Sequence, residues 1–132
     1  ELRGATGLKT VDKKGAAREV AKLLEQNRIV CILIDQHERY GSVRVPYFGR
    51  PAWTTALPAV MALKKGVPVI PVFCYRRFPQ PSVVEIGEPF SVIRTGSYEQ
   101  DLVDNTRQYV AAIEAVVRTR PGDWLWMHRR WR

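Results

Sequence analysis

Two uninterrupted apolar runs limit the folds that are open to this chain. They are Ile29–Ile34 and Gly66–Cys74, and both are rich in β-branched residues without polar alternation. A strand with one face in water alternates apolar and polar residues, whereas a strand covered on both faces is continuously apolar, as in a parallel sheet. Each run is far shorter than the roughly 20 residues that a membrane-spanning helix needs. We therefore expect two buried strands in a largely parallel sheet.

Helices are expected before, between and after these two runs. Apolar residues recur at helical spacing in residues 15–27 and 98–118, and a third helix is expected to begin after Thr54 or Thr55 and to end at Gly66. The order strand, loop, helix, strand predicts a right-handed βαβ unit. Weaker patterns predict short strands at residues 7–11 and 82–86. The expected fold class is α/β, with a mixed, largely parallel sheet flanked by helices.

The segment after the first apolar run is a candidate ligand site. Its prolines and glycines, set among aromatic and charged residues, predict a long irregular loop, and loops of this length are usually functional. Asp35 and Gln36 begin this loop at the carboxyl end of the predicted strand, where ligands bind in open parallel sheets. A carboxylate there orients a ligand hydroxyl or pairs with an arginine; the alternatives are a helix cap and a loop hydrogen bond.

The chain is strongly basic. Its 21 Lys and Arg residues against 13 Asp and Glu give a formal net charge of +8, which favours an anionic partner without separating nucleic acid, anionic lipid and acidic protein. Near the end of the chain, basic residues alternate with three tryptophans. Because Trp124 and Trp126 are two residues apart, we expect one of them to be buried.

The residues alone do not supply a complete catalytic set. Neither His37 nor His128 has a carboxylate at catalytic spacing, and the sequence has no nucleotide-binding glycine motif and no G-x-S-x-G elbow. Cys31 and Cys74 lie in the apolar runs without C-x-x-C spacing, so we expect reduced, buried thiols and no metal site. The residues therefore predict an α/β domain with an anion-binding face.

Four motifs, in this order, resemble those of a known enzyme family. They are Asp35-Gln36, the string PYFGRPA at 46–52, the string GVPVIPV at 66–72, and the closing string PxxWLWMHRRW at 121–131. Their order and spacing resemble the lipid A biosynthesis (lauroyl/myristoyl) acyltransferase family across nearly the whole chain, and related phosphatidylinositol mannoside acyltransferases share much of the pattern. The resemblance implies a glycerolipid-acyltransferase-like fold.

The resemblance also implies an activity. In this family a fatty acyl chain passes from acyl carrier protein or acyl-CoA to a hydroxyl of a membrane glycolipid, here most simply a lipid A precursor of lipopolysaccharide, at the cytoplasmic face of the bacterial inner membrane and without a cofactor. A His-x4-Asp/Glu pair is the family's general base, but the residue five positions after His37 is Ser42. We expect the pair and a membrane anchor upstream of Glu1, so that residues 1–132 are one partial, C-terminal acyltransferase domain, inactive alone.

The resemblance implies two sets of site residues. Those expected to bind substrate are Arg3, Asp35, Gln36, Tyr47, Phe48 and Gly49. Those expected to contact the membrane or anionic groups are Trp124, Trp126, His128, Arg129, Arg130 and Trp131. The expected partners are acyl carrier protein or acyl-CoA, an anionic glycolipid acceptor and the membrane surface, with no nucleic acid. The alternatives are a phosphatidylinositol mannoside-type acyltransferase and a non-enzymatic basic module that binds nucleic acid or another anion.

Overall fold

A computed structural model describes residues 7–77 and 79–131 of the chain. Arg3, which the sequence places among the substrate-binding residues, lies outside the described residues. The chain divides into two compact units, Glu1–Cys31 and Ile32–Arg132. In the first unit, helix α1 spans Ala16–Glu25, which confirms the helix predicted at residues 15–27, and the segment predicted as a strand at 7–11 is irregular.

The second unit consists of two hairpins and two helices. Its elements are β1 (Ser42–Tyr47), β2 (Arg50–Thr55), α2 (Leu57–Lys65), β3 (Val72–Arg77), β4 (Gln80–Ile86) and α3 (Tyr98–Thr119), followed by a 3-10 turn at Pro121–Asp123. Strand β1 pairs with β2 and β3 pairs with β4, both antiparallel. The broad α/β class is confirmed, whereas the largely parallel sheet and the βαβ unit are wrong.

The two apolar runs show why the parallel sheet is absent. Residues 29–34 are not in a strand and have no ladder partner within 7–77 and 79–131, and the Leu33 side chain is exposed. In the second run the prolines lack the N–H groups that a ladder needs, so β3 begins only at Val72, directly after Pro71. Cys31 and Cys74 are free, but both are exposed, which corrects the expectation of buried thiols. An apolar run therefore does not by itself supply a partner strand.

The predicted irregular loop contains the β1–β2 hairpin. Phe48 and Gly49 form its turn with φ of 50° and 72°, the two positive values of a type I′ turn. Pairs beside such a turn alternate between hydrogen-bonded and non-hydrogen-bonded, starting with the hydrogen-bonded pair Tyr47–Arg50. The next pair joins Pro46 to Pro51, where the missing N–H groups cost no ladder bond. The prolines that predicted a loop are therefore compatible with a hairpin.

Helix α3 organises the core of the second unit. It packs against β1 and α2, and Val110 on its inner face joins Val45, Tyr47 and Ala52 in the buried cluster. The buried Asn105 side chain accepts from the Ile93 N–H (3.0 Å) and donates to the Ile93 carbonyl (2.8 Å), which fixes the preceding segment on the helix. The predicted helices at 98–118 and before Gly66 are confirmed, and the predicted strand at 82–86 is part of β4.

Candidate functional site

An apolar cavity of about 420 Å³ lies within the second unit, inside the roughly 300–1,000 Å³ typical of small-molecule sites. Residues 32–35 form one wall and residues 69–75 form another. The third wall is α3, whose contributing side chains recur at helical spacing and so share one face: Tyr109, Ile113, Val116 and Val117. Parts of both apolar runs thus meet at this cavity, although they do not pair in a sheet.

Two polar groups in the cavity wall lack hydrogen-bond partners. In the described part of the chain, neither the buried Oδ1 atom of Asp35 nor the hydroxyl of Tyr109 has one. Burial raises the pKa of Tyr109, so its phenol stays neutral. An unsatisfied buried polar group costs about 1–3 kcal/mol. Both residues therefore line the apolar cavity while these polar atoms have no partner within the described part of the chain.

Tyr47 lies one layer behind the cavity in an aromatic cluster. Its ring centroid is 5.6 Å from that of Trp124, which lines the cavity, and 5.7 Å from that of the stacked Trp131. Burial raises the pKa of Tyr47 to about 12, with Arg130 opposing this shift and Asp35 adding to it. The phenol is therefore protonated at neutral pH and does not serve as a general base there.

Arg130 connects the closing segment to β2. Its guanidinium donates to the Trp53 carbonyl and to the Thr54 hydroxyl, at 2.5 Å each, and lies 5.3 Å from the centroid of the Tyr47 ring. Burial lowers the pKa of Arg130, while Tyr47 and Asp35 raise it. Only 1% of the residue is exposed. Strand β2 therefore holds the Arg130 guanidinium inside the protein, away from the surface, and the predicted contact of Arg130 with the membrane or an anionic group stays a prediction.

Glu114 of α3 holds the turn of the first hairpin. Its Oε2 atom accepts from the Phe48 N–H at 2.6 Å, and its Oε1 atom accepts from Arg118, also at 2.6 Å. Burial raises the pKa of Glu114, but the bonds from Phe48 and Arg118 outweigh burial and leave this pKa below its ordinary value. Sequence reasoning missed this clamp; the available signal was the Glu114–Arg118 spacing of four residues on a predicted helix.

Sequence comparison identifies the family. The bacterial lipid A biosynthesis acyltransferase family matches residues 1–132, the whole chain given. This chain belongs to that family. It is also similar to a phosphatidylinositol mannoside acyltransferase of Mycolicibacterium smegmatis (strain ATCC 700084 / mc(2)155), with 24% identity over 143 residues. That alignment covers 99% of this chain and 42% of the relative, so the chain spans about two fifths of the relative's length.

In this acyltransferase-family chain, the predicted substrate residues are only partly together. Asp35 lines the cavity, whereas Tyr47 does not line it and contacts Trp124, which does. Gln36, Phe48 and Gly49 do not line it; Phe48 and Gly49 form the hairpin turn instead. The roles assigned to these residues stay predictions.

The predicted membrane-contact residues also separate in the structure. Trp124 and Trp131 are partly buried against the core, whereas Trp126 is exposed, so the two spaced tryptophans do differ in burial, although neither is fully buried. Arg129 is exposed and His128 is half-buried. The sequence reasoning missed Leu125 and Met127, which are both exposed although they are apolar.

Within residues 7–77 and 79–131, no three His, Cys, Asp or Glu side chains are grouped so that they could hold a metal ion. The helices that the structure describes are each too short or too polar to cross a bilayer.

Proposed function

We propose that this chain is part of an acyltransferase that transfers a fatty acyl chain from acyl carrier protein or acyl-CoA to a hydroxyl of a membrane glycolipid. The observation that carries the proposal is the apolar cavity, with the unpartnered Asp35 oxygen in its wall. Family membership supports acyl transfer. Burial of the acyl chain in this cavity stabilises the complex by about 0.8 kcal/mol for each CH₂ group that leaves water.

Asp35 and the catalytic base have separate roles in the proposed reaction. Asp35 accepts a hydrogen bond from the acceptor hydroxyl and orients its oxygen toward the thioester carbon. The hydroxyl oxygen forms the new ester bond as the carbon–sulfur bond breaks, and the hydroxyl proton passes through a base to the leaving thiolate. Since residues 1–132 contain no His-x4-Asp/Glu pair, the proposal assigns the base to a part of the enzyme outside them.

The proposed acceptor is an anionic glycolipid at the cytoplasmic face of the inner membrane. The family's description supports a lipid A precursor, and the name of the mycobacterial relative supports a phosphatidylinositol mannoside-type acceptor. Both are phosphorylated lipids, and the net charge of +8 favours either. Transfer assays with each acceptor in parallel distinguish the two.

Filling the cavity tests the proposed acyl-chain site. We expect Val116→Trp to weaken the binding of lauroyl-CoA at least about tenfold, because the new ring occupies space that the acyl chain needs. The matched control is Ala115→Trp, on the exposed face of the same helix, which should bind as the unaltered chain does. Isothermal titration calorimetry measures affinity, and circular dichroism confirms that each variant is folded.

A second cavity variant covers the case in which Val116→Trp does not fold. Ile70 lies in the opposite wall and is 44% exposed, so Ile70→Trp can be accommodated without disturbing the core. It should also weaken lauroyl-CoA binding. Unchanged affinity in folded Val116→Trp and Ile70→Trp proteins would remove the cavity from the acyl-binding site.

A further inference from the structure

Three consecutive apolar side chains protrude from the second unit after α3. Leu125, Trp126 and Met127 are 68%, 50% and 89% exposed. Single exposed apolar residues are normal on protein surfaces, whereas contiguous ones mark an interaction site. We refer to Leu125–Met127 as the apolar tip.

The structure fixes the shape of the apolar tip from both sides. Before it, Trp124 packs against Tyr47; after it, Arg130 is bonded to β2. The Trp126 indole N–H donates to the Pro121 carbonyl at 2.7 Å, and the His128 N–H donates to the Leu125 carbonyl at 3.2 Å. Because the indole N–H already has a partner, moving Trp126 into an apolar medium leaves no donor unsatisfied.

Arg129 lies close to the apolar tip in the chain, and two further arginines lie over aromatic rings of the neighbouring cluster. Arg129 is exposed. Arg118 lies over the Phe48 ring, and that ring is 5.8 Å from Trp126; Arg50 lies over the Trp131 ring. The acidic groups nearby are Glu114, which pairs with Arg118, and Asp123 in the 3-10 turn. An apolar protrusion with a mainly cationic rim matches the interfacial region of an anionic bilayer, where tryptophan is enriched and arginine meets lipid phosphates.

We propose that Leu125–Met127 inserts into the interface of an anionic lipid bilayer while Arg129 contacts lipid phosphates. The choice of a lipid partner rests on the proposed function, since a membrane glycolipid acceptor has to be reached at a membrane. An acidic protein fits the tip less well, because a stable protein interface buries about 800 Å² on each partner and the tip is three residues. Trp124, directly before the tip, lines the cavity, so insertion brings the cavity to the lipid surface.

Vesicle co-sedimentation tests the apolar part of the proposal. The protein should bind vesicles of phosphatidylcholine with phosphatidylglycerol, and replacing Leu125, Trp126 and Met127 together with Ser should lower this binding at least about tenfold. The matched triple variant replaces Tyr40, Val84 and Ile86 with Ser, and these are exposed apolar residues elsewhere in the same unit. It should leave binding unchanged. Equal loss in both triple variants would overturn the inference.

The charged part is tested in the same assay. Arg129→Gln should lower binding to the anionic vesicles about fivefold, the loss expected for one juxtamembrane cation, with no effect on vesicles of phosphatidylcholine alone. Arg76→Gln, an exposed arginine of β3, is the control and should have no effect on either. An Arg129→Gln protein that binds anionic vesicles normally would contradict the phosphate contact.

Insertion itself is measured by tryptophan fluorescence. The chain has four tryptophans, and Trp126 is the exposed one among them. Vesicles with brominated acyl chains should quench the emission, and Trp126→Phe should remove most of the quenching while the vesicles still bind. Quenching that persists in Trp126→Phe would show that another part of the chain inserts.

Two outcomes separate this inference from the proposed function. If the chain binds an acidic acyl carrier protein through the tip and does not bind vesicles, the tip is a protein-docking surface and the inference fails, while acyl transfer stands. If vesicles bind through the tip but lauroyl-CoA does not enter the cavity, the proposed acyl-chain site fails and the membrane contact stands. The Ser triple variant should retain its affinity for lauroyl-CoA, because the tip does not line the cavity.

Discussion

At the scale of single residues, two adjacent arginines of the closing segment have opposite environments. Arg129 is exposed, whereas Arg130 is buried and donates to Trp53 and Thr54. The sequence shows both as members of one basic string, and charge patterning therefore assigns them the same role. Which of the two turns inward depends on where the segment crosses β2, and that is a tertiary feature with no local signal.

The two arginines should differ in stability measurements. We expect Arg130→Ala to lower the free energy of unfolding by about 3 kcal/mol, because it leaves the partly buried Trp53 carbonyl and the buried Thr54 hydroxyl without their donor and removes the contact with Tyr47. Arg129→Ala should change it by less than about 0.5 kcal/mol, as is usual for an exposed position. Urea unfolding measures both values. Equal effects of the two substitutions would show that Arg130 is not held as the structure indicates.

At the scale of elements, the helices follow from the sequence and the sheets do not. Helix α3 was predictable because its apolar side chains repeat at three- to four-residue spacing and Ser97 caps its first turn by accepting from Gln100. The β1–β2 hairpin was not predictable in this way. Pro46 and Pro51, considered singly, each predict an interruption of a strand, and only their pairing across the ladder shows that they cost no hydrogen bond. Strand pairing depends on segments that are distant in the chain, and a single sequence does not show which segments pair.

The clamp between α3 and the hairpin turn predicts a pH dependence. The pKa of Glu114 is lowered from 4.5 on folding, so its ionised form stabilises the fold above pH about 4.5, and this stabilisation is lost as the pH falls through the lowered folded pKa. We expect Glu114→Gln to lower the free energy of unfolding by about 1 kcal/mol at pH 7 and to lose this difference from the unaltered protein in acid.

The control for the clamp is Asp104→Asn. Asp104 pairs with Arg107 at the surface of the same helix, and an exposed pair of this kind contributes less than about 0.5 kcal/mol. Unfolding curves measured across the acidic range compare the two variants. A Glu114→Gln protein with an unchanged acid profile would show that the bond to the Phe48 N–H does not depend on the charge of Glu114.

At the scale of the whole molecule, the cavity joins segments that the sequence treated separately. Asp35 was identified from its place at the end of an apolar run, and it does line the cavity. The α3 wall was not anticipated, because the 3.6-residue periodicity shows that Tyr109, Ile113 and Val116 face inward without showing what they face. Of the apolar tip, only Trp126 was predicted to contact the membrane; the exposure of Leu125 and Met127 was not, because apolar residues of an irregular segment carry no periodicity that shows which of them stay in solvent.

The two cysteines show whether the cavity of the second unit holds the acyl chain. Both are free and exposed, but Cys74 lines the cavity and Cys31 does not. The measurement is the rate at which N-ethylmaleimide alkylates each cysteine, followed by peptide mass spectrometry, with lauroyl-CoA and with coenzyme A as the control that lacks the acyl chain. We predict that lauroyl-CoA slows alkylation of Cys74 and leaves Cys31 unchanged, and that coenzyme A affects neither. Unchanged alkylation of Cys74 at saturating lauroyl-CoA would contradict the account.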